Sequence, residues 1–150
     1  MVTAEDIITK AREYVGTPYH HQGRVKGVAL DCVGLIFGVC EELDILDVEG
    51  VPILRADNTN YSSEITDIYV HRECQRRLIE RPTAELCPGC ICTMRAPIAV
   101  HCGIASILPG GYLGMIHAYN GGTYKCIEHG MDEKWRRRIA GVFKIPGVSY

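Results

Sequence analysis

Cys32 is the side chain of this sequence best placed to become a nucleophile. It follows Asp31 and opens the run Cys32-Val33-Gly34-Leu35-Ile36-Phe37-Gly38-Val39-Cys40-Glu41-Glu42. A polar turn closed by Gly27 precedes it, and Asp31 has the chemistry of an N-cap, so the run is predicted to be a helix with Cys32 in its first turn. Unpaired amides and the positive end of the helix dipole favour a thiolate there and lower its pKa from about 8.5 toward neutrality. The run is nearly all apolar, so the helix belongs in the interior with only its first turn at a cleft. A free cysteine is also a small hydrophobe that packs well. Position alone therefore leaves both a nucleophile and a core residue open.

A thiol nucleophile needs a base, and the base needs a group to orient it. Val100 to Ile107 reads as a strand, Leu108-Pro109-Gly110-Gly111 as a turn and Tyr112 to Tyr119 as the returning strand. With the hairpin centred on Pro109, His101 and His117 face each other on one side of the sheet, close enough for one imidazole to orient the other. A two-residue turn at Pro109-Gly110 would instead set His101 opposite Ala118, so the pairing requires a three-residue loop or a bulge. Two histidines in register, with a cysteine at a helix tip, point to a Cys-His-His triad.

These residues sit within longer motifs: Gly16-Thr17-Pro18-Tyr19-His20-His21-Gln22, Asp31-Cys32-Val33-Gly34-Leu35, His101-Cys102-Gly103-Ile104, Met115-Ile116-His117-Ala118-Tyr119 and the closing Trp135 to Phe143. In this order they resemble the NlpC family of papain-like cell-wall cysteine peptidases, and more closely its short phage and prophage tail-associated branch. The resemblance implies Cys32 as nucleophile, His101 as base and His117 as the orienting third member. It also implies that Tyr19 lies beside the thiol and helps stabilise an oxyanion, although a tyrosine packed after a turn reads the same way. Asp31, His20 and His21 flank the nucleophile as candidate substrate or oxyanion contacts. The implied substrate is a peptidoglycan stem peptide cut between D-glutamate and a diamino acid, with no metal or other cofactor. The implied partners are phage tail-tip proteins.

The elements that must position these residues suit one α+β domain over residues 1–150, helices first and antiparallel strands afterwards. Thr3 and Asp6 form a capping box for a first helix through Ile7, Ile8, Ala11 and Tyr14 that ends at Gly16. Val51 to Tyr61 reads as an irregular loop, and Glu64 to Leu78 as a helix at the cleft or over a sheet edge. Strands are expected near Cys90–Met94, Val100–Ile107, Tyr112–Tyr119, Thr123–Ile127 and Gly141–Ile145. A chain of 150 residues, 47% of them hydrophobic, can bury a sizeable core. A net charge of -2 argues against a dedicated nucleic-acid binder.

No segment approaches the roughly 20 apolar residues of a membrane span, and the first residues lack the pattern of a signal peptide. The expectation is synthesis in the cytoplasm and incorporation into a virion. Eight cysteines raise a second possibility. Cys87-Pro88-Gly89-Cys90-Ile91-Cys92 could bind zinc or an iron-sulfur centre, but one C-x-x-C without a second pair is a weak metal signal. In the family this place usually reads Pro-Gly-Asp, and Cys90 stands where that aspartate would be. His71 reads as a surface residue, His129 as part of a late loop, and Trp135 as a packed indole beside the solvated Arg136, Arg137 and Arg138. Two alternatives stay open beside the peptidase: a structural tail-tip protein with weak or gated activity, and a thiol-histidine acyl transfer to an acceptor other than water.

Overall fold

Thr3 starts the first helix as its side chain predicts. In the computed structural model, which describes residues 1–56, 69–95 and 100–150, helix α1 spans Ala4–Arg12. The Thr3 hydroxyl accepts from the Asp6 amide and the Asp6 carboxylate accepts from the Thr3 amide, closing the capping box. Ile7, Ile8 and Ala11 form its buried stripe. A small antiparallel pair, β1 (Arg24–Val25) and β2 (Ala29–Leu30), leads into α2 (Cys32–Glu42), where Leu35, Val39 and Cys40 are buried. The segment read as an irregular loop contains a 3-10 turn at Ile53–Ala56; its residues 57–61 lie outside the described residues. The helix expected from Glu64 is described as α3, Tyr69–Arg77, and residues 64–68 lie outside the described residues.

Six strands then form one antiparallel sheet: β3 (Ile79–Arg81), β4 (Ile91–Arg95), β5 (Val100–Leu108), β6 (Tyr112–Tyr119), β7 (Lys125–Gly130) and β8 (Ile139–Lys144), in the order β3-β8-β4-β5-β6-β7. Strand β3 has no counterpart in the sequence reading. All three of its residues are exposed, so no apolar alternation marks it, and it forms because β8 offers a free edge. A short helix α4 (Glu133–Arg136), capped by Asp132, links β7 to β8. The sheet is buried on both faces. Ile91, Ile104, Ile116 and Phe143 pack with Ile7, Ile8 and Leu35 of α1 and α2, whereas Cys92, Met94, Ala105, Met115 and Val142 pack with Met131 and Trp135 on the other side. Each fully buried Leu, Ile or Phe side chain contributes about 1.5–3 kcal/mol. Among the described residues no helix is long and apolar enough to cross a membrane.

The hairpin register corrects one expectation. Strands β5 and β6 pair from Ile104↔Ile116 to Leu108↔Tyr112, so the hairpin is centred on Gly110 rather than Pro109. The loop is the three residues Pro109, Gly110 and Gly111, closed by the Gly111 amide on the Leu108 carbonyl at 3.0 Å. Gly110 and Gly111 take φ of 89° and 82°. Proline cannot reach that region, so the left-handed pair must begin after Pro109 and the centre moves on by one residue. His101 is consequently diagonal to His117 instead of opposite it, and Gly103 lies across from His117, where an added Cβ would sit 3.0 Å from the His117 Cβ. The correction moves the pairing by two positions. Side chains alternate with period two, so both histidines keep the same face.

Candidate active site

Asp31 shapes the turn that presents Cys32. Its carboxylate accepts from the Gly34 amide at 2.7 Å, from Arg24 at 2.9 Å and from the Gln22 amide at 2.8 Å. The residue is buried. Asp31 was a candidate substrate or oxyanion contact; it instead faces inward and ties the loop before the helix to the helix tip. Gly34 completes that arrangement, because a Cβ there would lie 2.2 Å from the Gly23 carbonyl oxygen. The glycine of Asp-Cys-x-Gly-Leu is thus required by the close approach of the loop to the first turn of α2.

The Cys32 thiol, half-buried, is held well below its ordinary pKa. The largest cause is a hydrogen bond from the Cys102 thiol; burial opposes it, and the charge of His101, a hydrogen bond from His101 and the Cys102 backbone amide add to it. The Cys102 thiol moves the other way, well above its ordinary value, because it shares that hydrogen bond with Cys32 and is itself buried. Of the two thiols, Cys32 is thus the one favoured to ionise and Cys102 the one favoured to donate. Cys40 and Cys74, both buried, are pushed up to about 12, Cys40 by burial alone and Cys74 by burial first.

His101 joins Cys32 to His117. Its Nε2 lies 2.6 Å from Nδ1 of His117, which leaves Nδ1 as the nitrogen for the thiol. His117 is fully buried, and burial first, then the charges of His101 and His129, push its pKa down to about 2. It is a neutral ring at any physiological pH. Its Nε2 lies 2.9 Å from Nε2 of His129, whose Nδ1 is 2.8 Å from the Gly130 carbonyl oxygen. Tyr119 stacks on His117 at 5.1 Å between ring centres, and Trp135 meets His117 edge-on at 5.2 Å and His129 at 4.9 Å. Aromatic walls of this kind hold rings in place and keep water from them.

Tyr19 lies at the same site. Burial, then the negative charges of Cys32 and Asp31, push its pKa up to about 12, so its hydroxyl stays protonated. His20 is exposed and turns its Nδ1 to the His21 carbonyl oxygen at 2.8 Å, and both residues remain in the loop before the nucleophile. In the cysteine cluster, Cys87 and Cys90 lie thiol to thiol at 3.3 Å, Cys90 and Cys92 are buried among Met94, Met115 and Val142, and among the described residues no group of three metal-binding side chains is assembled.

Two positions read as bland belong elsewhere, and a third packs as expected. His71 is half-buried and bonds Thr93 at 2.7 Å, so it is not a plain surface residue. Trp135 packs as expected, but against the histidines. His129 lies in β7 rather than a loop, because pairing with β6 extends that strand to Gly130, three residues beyond the expected Ile127. The signal for His129 was its spacing of two from Ile127, which places it on the His117 face once the strand is long enough.

No protein-family model and no curated protein sequence matches this chain. Solved structures do. An NlpC/P60 family protein from Bacillus cereus ATCC 10987 is 16% identical with a TM-score of 0.64, over 95% of this chain and 40% of that one. The NlpC/p60 domain of the peptidoglycan hydrolase SagA is 19% identical with a TM-score of 0.63, over 96% of this chain and 100% of that domain. NlpC1 from Trichomonas vaginalis is 18% identical with a TM-score of 0.61, over 95% of this chain and 44% of that one. The chain thus spans less than half the length of two of these neighbours. An apolar helix tipped by a cysteine and an antiparallel sheet carrying three histidines are, in this chain, parts of the α+β papain-like fold of the NlpC/P60 domains.

Proposed function

We propose that this protein is a cysteine peptidase that hydrolyses peptidoglycan stem peptides, with Cys32 as nucleophile, His101 as base and acid, and His117 as the orienting residue. The observation that carries the reading is geometric: Cys32 opens an Asp31-capped helix, and beside it His101 is held through Nε2, 2.6 Å from Nδ1 of the buried His117. The Cys32 thiolate attacks an amide carbonyl, and its sulfur–carbon bond forms as the carbonyl π electrons move to oxygen. First-turn amides that the helix leaves unpaired, the Cys32 amide among them, receive that oxyanion, and the protonated Tyr19 hydroxyl is a further donor. Imidazolium His101 gives its proton to the departing amine as the carbon–nitrogen bond breaks. Water then adds to the thioester with His101 as base, releasing the acid and restoring the thiol.

SagA, whose NlpC/p60 domain shares the fold over its whole length, is a peptidoglycan hydrolase, which supports the substrate class. The D-glutamyl to diamino-acid bond and delivery by a phage tail rest on the motif resemblance. The test is to incubate the protein and its Cys32→Ala variant with muropeptides carrying diaminopimelate and to read the products by mass spectrometry. Cleavage by the parent protein alone is expected. Equal cleavage by both would end the thiol mechanism, and cleavage elsewhere in the stem would correct the bond.

A further inference from the structure

We propose that His129 is a positioning residue that fixes the tautomers of the two histidines before it and so leaves a lone pair on the His101 nitrogen facing Cys32. The inference rests on the peptidase reading above and adds a fourth member to its triad.

A carbonyl oxygen only accepts hydrogen bonds, so the 2.8 Å contact between His129 Nδ1 and the Gly130 oxygen requires the hydrogen on Nδ1. In the neutral ring, His129 Nε2 is then an acceptor. The 2.9 Å contact with His117 Nε2 therefore needs the hydrogen on His117, and His117 Nδ1 becomes an acceptor in turn. His101 must donate from Nε2 across the 2.6 Å contact, which leaves Nδ1 of His101 with the lone pair that takes the thiol proton. Three neutral rings carry three N–H groups, and these three hydrogen bonds use them all.

Position supports the chain of donors. His129 pairs with Met115 and lies diagonal to His117 across the β6–β7 ladder, and Trp135 closes over both rings. Without His129, the His117 nitrogen aimed at it loses its acceptor. The ring is then free to exchange tautomers, and in the wrong one it presents an N–H to His101 instead of a lone pair. When His101 receives the Cys32 proton at Nδ1, the imidazolium still donates through Nε2, so the same order serves the resting and the protonated base. Each bond also polarises the next.

The experiment is nitrogen-15 NMR of histidine-labelled protein, with the six rings assigned by single substitution. His129 is expected as the Nδ1–H tautomer, His117 as Nε2–H, and His101 with hydrogen on Nε2 whether or not Nδ1 is also protonated. His129 found as Nε2–H, or doubly protonated at neutral pH, would overturn the inference, because either state reverses the order and puts a hydrogen on the His117 nitrogen that must accept from His101. In turnover, His129→Leu is expected to lower kcat about 10-fold with little change in KM, the loss of one hydrogen bond in the relay. His129→Gln, whose side-chain oxygen can accept from His117, restores most of it. An unchanged kcat in a folded His129→Leu protein would refute the positioning role. The tautomers, and the iodoacetamide alkylation rate of Cys32 at pH 7 in the same variants, need no substrate. A wrong substrate assignment and a wrong role for His129 therefore give different results.

Discussion

Removing the Cys102 side chain tests whether a second thiol sets the reactivity of the first. The Cys102 thiol supplies the largest lowering influence on Cys32, while His101 and the Cys102 backbone amide act independently of it, as does the helix tip that Cys32 opens. Cys102→Ala keeps the backbone amide and removes only the thiol. A hydrogen bond to a charged group is worth about 1.5–3 kcal/mol, and one pKa unit corresponds to about 1.4 kcal/mol. The Cys32 pKa is therefore expected to rise in Cys102→Ala, slowing alkylation below the midpoint about 10- to 100-fold, and to rise much less in Cys102→Ser, which retains an O–H donor. The assay is the initial rate of iodoacetamide alkylation against pH, followed on the Cys32 peptide by mass spectrometry so that the other cysteines do not interfere. A reactive form should appear at distinctly higher pH in the alanine variant. A midpoint identical to the parent protein, in a variant with an unchanged near-ultraviolet circular dichroism spectrum, would show that His101 and the helix tip suffice.

Three further perturbations probe neighbouring parts of the molecule. His117→Asn keeps an oxygen near the position of Nδ1 and should retain more kcat than His117→Leu, which removes the acceptor; equal losses would mean that the ring serves packing only. Gly34→Ala places a Cβ 2.2 Å from the Gly23 carbonyl oxygen, and the loop must move off the helix tip, lowering stability by about 1–3 kcal/mol in urea unfolding together with activity; a variant as stable as the parent would refute the close-approach requirement. Asp47 is buried and accepts from the Glu49 and Val51 amides and from Arg77 at 3.0 Å; burial raises its pKa, but the Val51 and Glu49 amides and Arg77 outweigh it and hold the carboxyl below its ordinary value. A depressed carboxyl pKa contributes stability above the unfolded value and loses it as pH falls through the folded one. Asp47→Asn should therefore cost about 1–3 kcal/mol at neutral pH, and the gap to the parent protein should close below about pH 4; a constant gap would show that charge is not involved.

The likeness to NlpC/P60 structures comes with under 20% identity in each of the three comparisons, so the fold persists where most side chains differ. In this chain the motif residues meet particular demands of the geometry. Asp31 caps the helix, Gly34 lets the loop approach, and the histidines share a sheet face. Cys90, where the motif resemblance leads one to expect an aspartate, is packed in the core with Cys87 as its thiol partner.

Local chemistry made several features legible from the residues alone. A capping box at Thr3 and Asp6, the N-cap at Asp31 and the helix that follows depend on contacts within three or four residues, so spacing is enough to find them. The shared face of His101 and His117 was legible too, because strand side chains alternate with period two and survive a register error of two positions. The register itself was not, since it depended on which residues of Pro109-Gly110-Gly111 take the left-handed conformation.

Tertiary structure decided the rest. Strand β3 exists only because β8 offers an edge, and β7 reaches His129 only because β6 continues to pair with it. Cys102 was legible as a strand residue of the His101-Cys102-Gly103-Ile104 motif; its influence on Cys32 arose when α2 packed against β5, two segments far apart in sequence. Hydrogen bonds of this kind join groups whose separation along the chain carries no periodic signal. Long-range packing adjusted the ionisation in the same way: burial keeps His117 neutral, and the hydrogen bond shared with Cys32, with burial behind it, pushes the Cys102 thiol up. The residue types able to do chemistry, and the local turns that hold them, were set by the amino-acid sequence itself, whereas their order of donors and acceptors came from long-range packing.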